Sequence, residues 1–392
     1  MIAYLTDVEG RWDKLVSFTT NNPAVSLVDG QLQLSDGATF VFGGDAIDRG
    51  PHARRFVSLL LAAKRRYGER VVLLAGNRDI NKTRLVTELG GKPHHRAPPI
   101  SNRAELLRWT LINTMGAAKA FEHRATELRE TGAKFDDDAV VESYVADLAP
   151  GGELRAYLMA CQLAYRSGAT LFVHGGITPE NFLRGPNHEG EQSRDVDAWV
   201  AMLNQFCRDE LDAFDRETRP DALIKYQSQG PDKLNQASVV YARPTDENGN
   251  PQLPARSIVE RLLANGIERV VVGHTPSGDC PALVREGKFE LVLADNSYGR
   301  VEHGSQVLLT DTTTEVRGVT KLDDGSQHDV RFASTRSEPS PLGLRDTKSG
   351  QLVKARLADG RYLLFRGLPQ YVVEQVSDAA ETVSQRALAA AR

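Results

Sequence analysis

Short apolar runs alternate with longer amphipathic ones along this chain, and the short ones end abruptly. Ile2–Leu5 runs into Thr6-Asp7, Phe40–Phe42 into Gly43-Gly44-Asp45, and Val71–Ala75 into Gly76-Asn77. Leu171–Val173 gives way to His174-Gly175-Gly176, and Val270–Val272 to Gly273-His274. Runs this short and rich in β-branched side chains suit buried strands. Between them, Arg54–Tyr67 repeats its apolar positions at helical spacing, and Ala255–Asn265 closes on Asn265-Gly266, a helix stop. Strand, loop and helix in alternation predict an α/β (α+β layered) core with its chemistry in the loops at strand C-terminal ends.

Two long intervals interrupt this rhythm. The stretch after Asp79 is helix-prone over Ala104–Arg129, Ala139–Leu148 and Glu153–Arg166, with Asp136–Asp138 as a helix N-terminal charge cluster. The stretch after His174 carries the helical Asp195–Phe214 and the polar Tyr226–Pro254. Spans of this length are more than connections, and predict helical insertions at about 80–168 and 180–235. They would serve as a cap, a substrate-selecting wall or a buttress. Beyond Val307–Thr310 the texture changes again. Asp323-Asp324-Gly325 and Asp359-Gly360 are hairpin turns between strand-like runs (Val316–Leu322, Gln351–Leu357, Arg361–Phe365), and Val373–Ala391 reads as a terminal helix. The expected organisation is a core over 1–318 and a β-hairpin/helix appendage over 319–392.

Composition narrows the functional classes. In 392 residues, 41% are hydrophobic and 26% charged, which supports a sizeable core and argues against wholesale disorder. Lys and Arg number 48 against 52 Asp and Glu, a net charge of −4. That balance excludes a polycationic nucleic-acid coat and gives no support for binding an anionic membrane, so neither is an expected partner. Cys161, Cys207 and Cys280 lie far apart, which disfavours a disulfide scaffold or a thiolate zinc site and fits a reducing compartment. The opening MIAYLTDVEGRWDK has no basic start, and Asp7 cuts its apolar run short, unlike a signal peptide. The expected location is the cytoplasm.

The candidate chemistry sits at the five strand ends: Asp7-x-Glu9-Gly10, Gly44-Asp45-x-x-Asp48-Arg49-Gly50, Gly76-Asn77-Arg78-Asp79, His174-Gly175-Gly176 and Gly273-His274-Thr275. Carboxylates, an amide oxygen and imidazoles converging on one edge form a ligand set for divalent metal. Each piece alone is commonplace; five in order, each directly after a strand-like run, are not. His94-His95 reads as part of a solvated insertion loop.

The chain resembles the calcineurin-like metallophosphoesterases, in particular the phosphoprotein phosphatase branch. FGGDAIDRG (Phe42–Gly50), LFVHGGITPE (Leu171–Glu180) and VVGHTP (Val271–Pro276) are similar to that branch's second, fourth and fifth motifs. The resemblance covers roughly Ile2–Val307. It implies a β-sandwich flanked by helices and two divalent metal ions that activate a water for in-line attack on phosphorus. By the same resemblance Asp7, Glu9 and Asp45 hold the first metal. Asp45 bridges to the second, which Asn77, His174 and His274 complete. Arg49 matches the family's phosphate-binding arginine, and Arg243 stands loosely where relatives place another.

Two positions depart from the pattern. Glu9 replaces a histidine, making the first metal position all-oxygen, which leans toward Mn²⁺ or Mg²⁺ over zinc or iron. Arg78 replaces the histidine that protonates the leaving group and that the position of Asp48 orients. A guanidinium cannot act as an ordinary general acid. Glu9 adds one negative charge and Arg78 one positive, so the two changes offset each other, with Arg78 stabilising the leaving oxygen or bridging structurally to Asp48. The expectation is a phosphatase acting on phosphomonoesters of a phosphorylated partner. Phosphotyrosine or phosphoserine/threonine proteins are favoured over a small metabolite. A dinucleoside polyphosphate hydrolase is the nearest alternative, and a catalytically impaired metal- and phosphate-binding module the alternative of another class.

Overall fold

The computed structural model describes residues 1–186, 192–230, 234–297, 299–301 and 304–389. The apolar runs form two sheets. One is six-stranded, in the order Gln327–Thr335, Thr313–Lys321, Gln306–Leu309, Ile2–Leu5, Thr39–Phe42, Val71–Leu73. The other is five-stranded, in the order Ala164–Ser167, Thr170–Val173, Arg269–Val272, Phe289–Leu293, Ala282–Glu286. Ile2–Leu5, Thr39–Phe42 and Val71–Leu73 pair in parallel, as do Thr170–Val173 and Arg269–Val272. Parallel pairing brings the polar ends of these strands out together within each sheet.

Side-chain alternation decides how the sheets stack. Tyr4, Val41 and Val72 of the first sheet share a buried cluster with Phe172, Val271 and Val292 of the second. The Tyr4 and Phe172 rings stack with centroids 5.7 Å apart. Their neighbours Leu5, Phe42, Leu73, Val173 and Val272 turn outward to helical side chains such as Phe18, Phe56, Leu60, Leu203 and Leu262. The result is the expected β-sandwich with helices on its outer faces. Each of these large side chains is worth about 1.5–3 kcal/mol on burial.

The first insertion is helical: Arg84–Leu89, Arg103–Thr114, Ala120–Glu130, Asp137–Leu148 and Glu153–Met159. The Asn102 side chain caps one of these helices and Asp136 another, the latter as the acidic cluster predicts. The insertion also supports the core. The Glu127 carboxylate accepts from the backbone N–H of Arg54 and Arg55 at 3.1 and 2.9 Å, capping the helix Ala53–Tyr67 that follows Asp48-Arg49.

Three expected helices are corrected. Ala104–Arg129 is two helices broken at Gly116, whose φ of 61° no helix accommodates. Glu153–Arg166 ends as a helix at Met159, and Ala164–Ser167 becomes a strand because it folds back on Thr170–Val173 across Gly168. Val373–Ala391 opens as the strand Val373–Asp378, paired with Tyr362–Gly367, and only Ala380–Ala389 is helical; 390–391 lie outside the described residues. Sheet pairing overrides a weak helical preference here. Both predicted turns join hairpins, Thr313–Lys321 with Gln327–Thr335 and Leu352–Arg356 with Tyr362–Gly367. The strand Thr313–Lys321 belongs to the six-stranded sheet and runs through position 318.

Candidate metal centre

The strand-end loops turn sharply enough to aim their side chains back over the sandwich edge. Asp7, Glu9, Asp45, Asp48 and His274 all adopt positive φ, of 51°, 54°, 58°, 113° and 60°. Non-glycine residues rarely pay this cost away from functional sites. Gly76 is required for a different reason: a Cβ there would overlap the Asp45 carboxylate. Backbone bonds tie the loops together, Asp7 N–H donating to Gly44 O and Glu9 N–H to Asp45 O, both at 2.9 Å.

Four of the predicted ligands meet around one point. His174 Nδ1–H donates to Gly43 O at 2.7 Å, so in the neutral ring Nε2 carries the lone pair. That nitrogen faces Asn77 Oδ1 at 3.2 Å and Asp45 Oδ1 at 3.4 Å, while His274 Nδ1 lies 2.8 Å from Asn77 Oδ1. Burial, Arg243, His174 and Arg78 hold the His274 ring well below its ordinary range, in the neutral form that ligation needs. Asn77 Oδ1 and Asp45 Oδ1 thus both face the His174 Nε2 lone pair, a crowding of acceptors that a divalent cation between them would relieve.

The second group is acidic. Asp7, Asp45 and His174 each place a ligand atom within 4.8 Å of the others. Burial, together with Asp295, Asp45 and Glu9, pushes the Asp7 carboxyl well above the usual range. Burial pushes Glu9 up to about 7, against the opposing pull of Arg78, Arg49 and Lys14. Glu9 Oε1 is taken by Arg78 Nε at 2.7 Å and Arg49 Nε at 3.3 Å, whereas its buried Oε2 has no hydrogen-bond partner. A crowd of desolvated carboxylates with a spare oxygen fits a divalent cation.

Asp7, Glu9, Asp45, Asn77, Arg78, Arg243 and His274 line one cleft of about 850 Å³. Asp48 and Arg49 lie outside it. Asp48 is buried against Lys82 Nζ at 2.7 Å and Arg78 Nη1 at 3.5 Å, and Arg49 meets the site through Glu9. Arg78 also reaches Asp45 Oδ2 at 3.5 Å. It therefore binds three carboxylates from two loops at once.

The family model of calcineurin-like phosphoesterases matches residues 2–278. The chain belongs to this family. It is a metal-dependent phosphoester hydrolase. Among solved structures, this phosphoesterase is similar to a cold-active protein-tyrosine phosphatase of a psychrophile, Shewanella sp., with 18% identity and a TM-score of 0.47 over 84% of this chain and 79% of that one. It is also similar to a Saccharomyces cerevisiae protein serine/threonine phosphatase, itself described as similar to human phosphatase PP5, with 14% identity and a TM-score of 0.36 over 86% and 81% of the two chains. A search of curated proteins by sequence returns no match.

Asp79, named with the third strand end, is fully buried, and its carboxylate accepts from the backbone N–H of Asp45, Ala46 and Gly76 at 2.9–3.0 Å, tying the strand-end loops together without lining the cleft. Several residues around the phosphoesterase centre escape sequence reasoning. Lys82 is fully buried on Asp48; its spacing of four residues from Arg78 was the available signal. Lys14 donates from Nζ to Asp7 O at 2.8 Å, and the buried Asp295 lines the cleft, neither marked by any local motif. His94 and His95, read as a solvated loop, also line the cleft, with Arg84 and Arg96 beside them. Among the described residues no helix is long and apolar enough to cross a membrane.

Proposed function

We propose that this phosphoesterase hydrolyses phosphomonoesters, with phosphotyrosine or phosphoserine/threonine proteins favoured over small metabolites by the resemblance of Phe42–Gly50, Leu171–Glu180 and Val271–Pro276. The observation that carries the reading is the meeting of four candidate ligands at one spot, His174 Nε2 facing Asn77 Oδ1 and Asp45 Oδ1, and His274 Nδ1 facing Asn77 Oδ1. Asp45, Asn77, His174 and His274 would hold one ion. Asp7, Glu9 and Asp45 would hold another, their oxygens favouring Mn²⁺ or Mg²⁺. Such ions, when bound, lower the pKa of a coordinated water and neutralise charge on phosphoryl oxygens.

The protein side of the mechanism follows from the surrounding groups. Arg49 does not line the cleft; held on Glu9 Oε1 at 3.3 Å, it would bind two phosphoryl oxygens by turning its planar fork past that carboxylate. Arg243 lines the cleft near His274, where it would take a further oxygen. Arg78, held by Glu9, Asp45 and Asp48, stays charged through the reaction and stabilises the leaving oxygen without donating a proton. Asp48 faces Lys82 and Arg78, so it serves to hold that guanidinium.

One observation favours a second reading. The acidic residues lining the cleft among those described are Asp7, Glu9, Asp45 and Asp295, all near the metal positions, whereas the insertion wall offers Arg96 and Arg84, the latter paired with Glu88 at 2.8 Å, beside His95 and a His94 whose pKa burial lowers to about 4. A basic wall suits a substrate with several phosphates, such as a dinucleoside polyphosphate. The test is a panel of p-nitrophenyl phosphate, phosphotyrosine, phosphoserine and diadenosine tetraphosphate, each with Mn²⁺, Mg²⁺, Ni²⁺ and Zn²⁺. Monoester turnover well above that of diadenosine tetraphosphate is expected. The reverse order would select the second reading, and no turnover of any substrate would reduce the centre to a binding module.

A further inference from the structure

The chain beyond the family match carries two polar side chains that are buried completely and point at the metal centre's supporting loop. Lys354, on the strand Leu352–Arg356, and Gln375, on Val373–Asp378, are both 0% exposed. Lys354 Nζ donates to the carbonyl of Ser277 and lies 4.5 Å from the centre of the Phe365 ring. Gln375 Nε2 donates to Asp279 Oδ2 at 2.6 Å and to Lys321 O at 2.9 Å. Ser277 and Asp279 are three and five residues past His274. Between them Gly278, at a φ of 84°, packs so closely that a Cβ would meet Gln375 Oε1 and Lys354 Nζ.

The loop is thus held at both ends. At its start, His274 N–H donates to the Asp7 carboxylate at 3.1 and 3.3 Å. At its far end, Asp279 Oδ2 also accepts from Lys321 N–H at 2.8 Å, joining the appended sheet, the six-stranded sheet and the loop in one polar knot. The same sheet and the loop leading into it grip the segment that follows Arg243. Gly367 N–H donates to Asn250 Oδ1 at 2.7 Å, and Arg345 Nη2 to Pro251 O at 3.2 Å. Burying an ammonium and a carboxylate is costly, and the cost is met only while every partner stays in place. Burial lowers the pKa of Lys354, and the carbonyl of Ser277 and the Phe365 ring are the groups that hold its Nζ.

We infer that the C-terminal sheet is a positioning device for the metal centre, in which Lys354 and Gln375 fix the loop that leaves His274. This rests on the assignment of His274 as a ligand. Neither residue touches substrate; both act through the backbone of Ser277–Asp279 on the direction of the His274 ring. Partners just outside a ligand typically change metal affinity by about 10–100-fold when removed.

The test uses the full chain with Lys354→Met and, separately, Gln375→Leu, with the milder Gln375→Asn as a third variant in case the others fail to fold. Mn²⁺ affinity is measured by equilibrium dialysis, thermal stability by calorimetry, and hydrogen exchange over residues 273–281. The expected result is a Kd for Mn²⁺ raised about tenfold and faster exchange over 273–281, with most of kcat recovered at saturating Mn²⁺. A lowered Tm with wild-type Kd and wild-type exchange over that loop would make the two residues ordinary structural ones and overturn the inference. Wild-type protein that binds no Mn²⁺ would fail earlier, removing the metal centre itself and the positioning role with it.

Discussion

Asp45→Asn is expected to lower kcat for p-nitrophenyl phosphate by about 10³-fold, equivalent to roughly 4 kcal/mol of barrier. Asp45 is the one side chain shared by both proposed ion positions, within reach of Asp7 on one side and of His174 Nε2, at 3.4 Å, on the other. Asparagine is the informative replacement. It tolerates the positive φ of 58° at this position, and its backbone N–H can still donate to Asp79. Its amide oxygen can still accept from Arg78 N–H, as Asp45 Oδ1 does at 2.9 Å. What disappears is one negative charge and one lone-pair-bearing oxygen, so fold and loop survive while the cation loses its shared ligand. Steady-state kinetics with far-ultraviolet dichroism as the folding control measures this. Retained activity with an intact fold would remove Asp45 from the centre.

Arg78→Ala is expected to lower kcat by about 10²-fold while bound metal stays at the wild-type ratio. The guanidinium binds Glu9 at 2.7 Å, Asp45 and Asp48 at 3.5 Å, and Gly116 O at 3.4 Å, and its charge faces the cleft. A purely structural bridge would lose stability on truncation and leave kcat near normal, which is the contrary result. Because a guanidinium gives up no proton, the leaving group must depart largely on its own. Wild-type rates should therefore fall steeply as leaving-group pKa rises, with aryl phosphates ahead of alkyl ones. Equal rates across that series would show that some other group supplies the proton. Arg78→Lys is a useful companion, since it keeps the charge but not the fork that spans three carboxylates.

What was legible in the sequence is what depends on local chain chemistry. The runs ending at Asp7, Asp45, Asn77, His174 and His274 mark strands because burial demands β-branched side chains, and the glycine beside each marks the turn. The sandwich follows from the same alternation. What was hidden depends on contacts formed only in three dimensions. The spacing of Lys82 from Arg78 hints at a shared helix face but not at complete burial on Asp48, and Asp295 reaches the cleft from the loop after Phe289–Leu293, distant in sequence. Val373–Asp378 carries no clear strand pattern and becomes one because Tyr362–Gly367 offers an edge. His94 and His95 are polar loop residues by any local measure; the cleft they line is closed by other segments of the chain.

The central claim is that metal held by this cluster drives phosphomonoester hydrolysis. The direct measurement is p-nitrophenyl phosphate turnover by metal-stripped protein titrated with Mn²⁺, with bound metal quantified at each point. Turnover should start near zero, rise with bound Mn²⁺ and saturate when the sites fill. Stripped protein as active as loaded protein, or Mn²⁺ bound in full without turnover, would contradict it.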